Sequence, residues 1–182
     1  MTNQNPEQIA RDNIDRQLLA CGWVIQNKKD LNLYASLGVA VREYSTEVGP
    51  ADYVLFVNQK PVGVIEAKRE EEGGKMSIHE TQVEEYAQAK LKYIDNQPLP
   101  FLYLSTGAIT RFTDTRDPKP RYREVFTFHR PETFTKWLRK GTSIRERMSE
   151  NFPELDPSGL RECQIDAINN LETSFKKNRS KA

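Results

Sequence analysis

The sequence predicts an α/β domain in which helices flank a central mixed β-sheet, and three features carry that expectation. An amphipathic helix opens the chain, two apolar runs joined by a short polar turn form a hairpin, and an apolar segment at 101–105 follows a second helix. A segment that is apolar almost throughout suits a strand covered on both faces.

Ile9, Ala10, Ile14, Leu18 and Leu19 recur at helical spacing between Pro6 and Gly22, with the glycine in the C-terminal stop position. Trp23-Val24-Ile25 follows, residues 38–44 read as a strand, and Gly49-Pro50 reads as a turn. The runs 52–57 and 62–68 flank Asn58-Gln59-Lys60-Pro61 and make the hairpin. The charged, glycine-bearing stretch 69–75 is a loop. Ser77 and Glu80 form an S-x-x-E capping box that opens a helix to about residue 94. Pro98 and Pro100 stop it before the apolar strand.

Further on, the basic stretch 111–123 favours a loop or hairpin, 124–129 reads as one more strand, and 134–139 and 142–148 read as helices. A domain over 1–150 is expected, then a linker at 151–159 with two prolines and a glycine, then the start of a new unit over 160–182.

Apolar residues make up 37% of the 182 and charged residues 29%, a mixture that excludes a disordered chain. No stretch approaches the roughly 18 apolar residues needed to cross a bilayer, and the polar start lacks the basic-then-apolar order of a signal peptide. A cytoplasmic protein with no membrane partner is the expectation. Cys21 and Cys163 stand far apart without neighbouring Cys or His, which predicts two reduced, partly buried thiols. His79 and His129 are isolated, so a zinc hydrolase is not indicated, and both read as surface or helix-end residues. There is no G-x-S-x-G either.

The net charge of +1 hides an asymmetry: residues 43–100 carry 11 acidic and 6 basic side chains, residues 109–147 carry 5 and 11. An acidic cluster beside a basic wall suits metal-assisted chemistry on a polyanion, although charged residues are also what any solvated face carries. Hydrolysis of a phosphodiester requires activation of water and stabilisation of charge on the phosphate and leaving oxygen. Two carboxylates can hold Mg²⁺ at about 2.0–2.1 Å for that purpose while leaving positions for water and phosphate. A lysine beside them can stabilise the transition state or orient the water.

Asp52 and the triplet Glu66-Ala67-Lys68 offer that set, since residues i and i+2 of a strand share a face. A three-residue loop at 58–60 would pair Val57 with Pro61 and set Asp52 opposite Glu66. A two-residue loop would need a bulge to do the same. With 17 Glu and 13 Lys in the chain, roughly one E-x-K is expected by chance. The weight therefore rests on context: polar residues ending two paired apolar strands need a reason, which is either this chemistry or a salt bridge at the sheet edge. Gln82 and Tyr86 share one face of the capped helix, a spacing equally suited to a half-buried tyrosine with a glutamine at its rim.

Gly49-Pro50-Ala51-Asp52-Tyr53, Val64-Ile65-Glu66-Ala67-Lys68 and Gln82-Val83-Glu84-Glu85-Tyr86 together resemble the PD-(D/E)xK nuclease motifs with an appended QxxxY helix. The subfamily resembled is the N-terminal nuclease domain of the type I restriction enzyme motor (R) subunit, over about residues 7–140. The resemblance implies a restriction-endonuclease-like core and Mg²⁺-dependent hydrolysis of double-stranded DNA. It implies metal binding by Asp52 and Glu66, catalytic assistance by Lys68, and Gln82 and Tyr86 near the active site and DNA. An acidic residue on the first helix also assists in many relatives, and Glu7 is the nearest candidate here. Where many relatives have Thr-Asn-Gly after the strand that follows the helix, this chain has Ser105-Thr106-Gly107.

Leu160-Arg161-Glu162-Cys163-Gln164-Ile165-Asp166-Ala167-Ile168 resembles the L-R-x-x-Q-x-x-A-I opening of superfamily 2 helicases, where the glutamine reads the adenine of ATP. That role would fall to Gln164 in a longer protein. No G-x-x-x-x-G-K-[ST] occurs in these residues, so ATP is expected as a ligand of the full-length protein only. Sequence recognition is expected from methyltransferase and specificity subunits, by the same resemblance. Two other functions fit the same fold: a catalytically silent DNA-clamping or docking module of a helicase, and a stand-alone repair or junction nuclease.

Overall fold

In the computed structural model, which describes residues 5–47, 49–69, 98–150 and 153–176, seven strands form one sheet whose order follows the chain. The strands are β1 (Val24–Asn27), β2 (Gly38–Thr46), β3 (Gly49–Val57), β4 (Lys60–Ala67), β5 (Phe101–Ser105), β6 (Thr110–Asp114) and β7 (Arg123–Val125). β1 pairs with β2, and β4 with β5, in parallel, while the other neighbours are antiparallel. The sheet is therefore mixed, as the sequence predicts. The helices are α1 (Pro6–Ala20), α2 (Pro131–Arg139), α3 (Ile144–Glu150) and α4 (Glu162–Lys176). Among the described residues no helix is long and apolar enough to cross a membrane. The expected helix over 77–94 lies outside the described residues.

α1 begins where the Asn5 side chain accepts the backbone N–H of Glu7, at 3.2 Å, with Pro6 in the first turn. Ala10, Ile14 and Leu18 are buried, whereas Ile9 and Leu19 are exposed, so the apolar stripe is narrower than the spacing alone suggests. Ile14 and Leu18 join Trp23, Tyr53, Ile65 and Phe134 in one core cluster, while Val39, Val54, Phe56 and Val64 belong to a second. β5 serves both. Phe101 and Tyr103 enter the first cluster and Leu102 and Leu104 the second, so all five of its residues are buried as a strand covered on both faces requires.

The β3–β4 hairpin turns on two residues, Asn58 and Gln59, both in the left-handed region with φ of 48° and 63°. Val57 pairs with Lys60 and Phe56 with Pro61, and the register then shifts so that Leu55 pairs with Gly63 and Tyr53 with Ile65. The shift makes Val62 the extra residue of a bulge. The two-residue loop with a bulge is thus the arrangement adopted, not the three-residue loop.

Four other expectations are corrected. Gly49-Pro50 is the start of β3, paired with Thr46 and Ser45, rather than a turn; a proline is tolerated at such a position because the first residues of a strand can spare an N–H. The strand expected over 124–129 is only Arg123–Val125, because Phe128 leaves the sheet to become buried in the core. His129 is neither a surface nor a helix-end residue: it lies half-buried with its ring 4.6 Å from that of Phe112 and 4.9 Å from that of Trp137, centroid to centroid. Of the two free thiols, Cys21 is buried and Cys163 exposed. The basic stretch 111–123 takes the hairpin form, carrying β6 into β7.

α1 is fixed against the loop after β5. Gln17 donates to the Gly107 carbonyl at 2.6 Å. Gly107 has φ of 80°, and a Cβ there would fall 2.7 Å from Asn13 Cβ and 2.9 Å from the Ala10 carbonyl oxygen. Only glycine allows this approach. The hydroxyls of Ser105 and Thr106 accept the loop's own N–H groups, from Gly107 at 3.1 Å and Ile109 at 3.1 Å, so this Ser-Thr-Gly sequence forms a closed turn that seats the helix.

Candidate active site

Continuing the β3–β4 register by one residue beyond the Tyr53–Ile65 pair sets Asp52 opposite Glu66. Both carboxylates are largely buried, with 11% and 7% of their side chains exposed. Asp52 Oδ2 accepts the backbone N–H of Ala67 at 2.9 Å, so the aspartate side chain ties down the end of β4. One residue on, the Lys68 N–H donates to the Ser105 carbonyl at 2.8 Å, which fastens the lysine to β5. Lys68 Nζ then reaches back to Glu66 Oε1 at 3.0 Å.

Two carboxylates held together out of water resist double ionisation. Burial pushes the Glu66 carboxyl up to about 7, the charge of Asp52 adds to the rise, and Lys68 offsets only part of it. A group of this kind relaxes when a cation shares its charge, and hard carboxylate oxygens are the donors a Mg²⁺ ion takes. The pair therefore fits such an ion. Among the described residues no group of three or more His, Cys, Asp or Glu is placed to hold a metal, so the carboxylates that the described strands bring together here are these two.

Sequence reasoning missed Arg11. Its Nη2 donates to Asp52 Oδ1 at 2.6 Å and lies 3.5 Å from Glu7 Oε1, while its Nη1 lies 3.4 Å from Glu43 Oε1. Burial disfavours the guanidinium's charge, but Asp52, Glu7 and Glu43 more than compensate and raise its pKa. Glu7 is thus connected to the site through Arg11. On the next turn of α1, Asp15 accepts the Tyr53 hydroxyl at 2.9 Å and pairs with Arg42. Burial, followed by Asp15, drives the Tyr53 hydroxyl far above its ordinary pKa. A signal for this existed: Glu7, Arg11 and Asp15 are four residues apart and so form a charged stripe on one helix face.

Glu43 is held at φ of 50° within β2, between the pairs Arg42–Tyr53 and Tyr44–Ala51. This conformation is rare for a side-chain-bearing residue. A groove of about 1050 Å³ runs beside these residues, with Arg11, Asp15, Lys28, Arg42, Glu43 and Asp52 in its lining. Gln82 and Tyr86 lie outside the described residues. Gln164 is exposed at the start of α4, where its Oε1 accepts the Arg161 N–H at 2.9 Å.

Residues 34–101, which include Asp52, Glu66, Lys68, Gln82 and Tyr86, match the family described as the second domain of the type I restriction enzyme EcoKI endonuclease subunit. The chain resembles the nuclease region of a type I restriction enzyme R subunit. It is 26% identical over 221 residues to the type I restriction enzyme EcoKI endonuclease subunit of Escherichia coli (strain K12), a match covering 94% of this chain and 19% of that protein. The chain thus corresponds to about a fifth of that R subunit's length. A solved fragment of an HsdR subunit of a type I restriction enzyme from Vibrio vulnificus YJ016 superposes with a TM-score of 0.54 at 18% identity, covering 97% of this chain and 33% of the other. That likeness supports the restriction-endonuclease-like fold.

Proposed function

We propose that the chain is the Mg²⁺-dependent endonuclease region of an ATP-driven type I restriction subunit, hydrolysing phosphodiester bonds of double-stranded DNA. The observation that carries this reading is the buried Asp52–Glu66 pair with Lys68 bonded to Glu66. Asp52 and Glu66 would hold Mg²⁺, whose charge polarises the phosphate and favours ionisation of the attacking water. Glu66 would release its proton to solvent on becoming a ligand. Lys68, fixed by its own N–H to Ser105, supplies positive charge where the phosphate oxygens gain negative charge. The water, losing a proton to solvent, would bond through its oxygen to phosphorus as the P–O ester bond breaks, and the departing oxygen would take up a proton from solvent.

In the longer protein, Gln82 and Tyr86 would support the bound DNA strand and Gln164 would meet the adenine of ATP. Methyltransferase and specificity subunits would bring the recognition sequence, and the assembly would work in the cytoplasm. The reading is tested in the full-length subunit, assembled with its partners and supplied with ATP, Mg²⁺ and supercoiled DNA carrying a target. Lys68→Ala should lower the cleavage rate at least ~100-fold. Unchanged cleavage would assign the chain a clamping or docking role.

A further inference from the structure

One cation already occupies the mouth of the site. Arg11 places both terminal nitrogens among Glu7, Glu43 and Asp52, and its shortest contact, 2.6 Å, is to the Asp52 oxygen that the Ala67 N–H does not use. A divalent ion taking this carboxylate meets the positive charge of a guanidinium 2.6 Å from Asp52 Oδ1, and of the two donors on Asp52 only that one is charged. The Ala67 N–H belongs to the backbone and cannot withdraw without breaking the strand end. The guanidinium stands on a long, flexible side chain.

Two further observations mark Arg11 as the group that yields. Among the described residues its buried Nε has no hydrogen-bond partner, so they do not lock the guanidinium into a fully satisfied clamp. Glu43 and Glu7, at 3.4 and 3.5 Å, lie beyond ideal hydrogen-bond length but within immediate reach. On leaving Asp52, the guanidinium can close on these two carboxylates without being stranded, and this removes positive charge from the incoming ion.

We infer that Arg11 is an exchangeable counter-cation of the metal site: it holds Asp52 in the metal-free protein and moves onto Glu7 and Glu43 as a divalent cation takes Asp52. Arg11 is accordingly a positioning residue, and Glu7 and Glu43 act through it. The inference rests on the proposed metal-binding role of Asp52 and Glu66.

Mn²⁺ alone is titrated into the full chain without DNA, with free Mn²⁺ read by electron paramagnetic resonance and Asp52→Asn as the reference for site-specific binding. Arg11→Met should bind Mn²⁺ at least tenfold more tightly than the native chain, with the gain lost when Asp52→Asn is added. Arg11→Gln, which keeps a neutral donor, should shift in the same direction and carries the test if the methionine variant does not fold. Glu7→Gln with Glu43→Gln should weaken Mn²⁺ binding, and most of that loss should vanish when the Arg11 substitution is added. Asp52-dependent binding that does not tighten on substitution of Arg11, or a Glu7/Glu43 loss undiminished without Arg11, overturns the exchange and leaves the metal site standing. Absence of Asp52-dependent binding in every variant overturns the exchange, and the same absence with duplex DNA added overturns the metal site as well.

Discussion

Asp52 faces Glu66 across the β3–β4 hairpin because Val62 is an extra residue in β4. Before the bulge Phe56 pairs with Pro61, and beyond it Leu55 pairs with Gly63. A one-residue difference in register moves side chains to the opposite face of a strand, so if Val62 paired with Leu55 instead of bulging, Asp52 would face Ile65 and the glutamate would point away from the aspartate. The turn and the bulge together position the site.

The turn itself is improvable. Gln59 has φ of 63° and follows Asn58 at 48°, the conformation in which Asn-Gly is the favoured pair. Gln59→Gly should stabilise the fold by roughly 0.5–1 kcal/mol, the left-handed strain of a side-chain residue less the extra freedom glycine gives the unfolded chain. Urea denaturation reads this as a higher midpoint at unchanged slope.

Gly107→Ala should do the reverse. The added methyl meets Asn13 and the Ala10 carbonyl, and the residue has φ of 80°. A loss of roughly 2–4 kcal/mol is expected from overpacking and backbone strain together. The change should also loosen α1 and with it Arg11, so amide exchange should quicken along Pro6–Ala20 more than in the central strands.

Tyr103→Phe tests the aromatic cluster under the sheet. The fully buried hydroxyl meets His129 Nδ1 at 2.5 Å and accepts the His129 N–H at 3.1 Å. Its removal leaves both groups unpaired, which should cost about 1–3 kcal/mol in thermal or denaturant unfolding.

Glu66 makes stability depend on pH. Its carboxyl titrates at about 7 in the fold and near 4.5 when unfolded, so between those values the native state holds a proton that the unfolded state has released. Stability from this group is therefore full below about pH 4.5 and falls as the pH rises toward 7. Glu66→Gln should gain roughly 2–3 kcal/mol relative to the native chain at pH 8 and little at pH 4.5, measured by denaturation at both values. A gain independent of pH would remove titration as the cause.

The outline of the fold was readable because apolar periodicity reports burial. α1, the hairpin and the doubly covered β5 each present a run long enough to register it. β1 was not, since its four residues are only partly buried and half of them are Gln26 and Asn27. Pro50 suggested a turn because local propensity carries no information about which N–H the sheet needs. That Asp52, Glu66 and Lys68 come together was readable from their places at the ends of paired strands. Arg11 was not, because its role depends on how α1 is seated against Gly107, a tertiary contact between residues nearly a hundred positions apart. His129 was misread for a similar reason: Phe112 and Trp137 enclose it from other elements.

The central claim, that Asp52 and Glu66 form a divalent-cation site, is tested most directly by calorimetric titration of Mg²⁺ or Mn²⁺ into the chain, with and without duplex DNA, against an Asp52→Ala, Glu66→Ala double variant. Binding to the native chain that disappears in the variant is the result predicted by the buried, proton-sharing pair. Equal heats from the two proteins under both conditions would contradict it and leave Lys68–Glu66 as a salt bridge at the edge of a docking module.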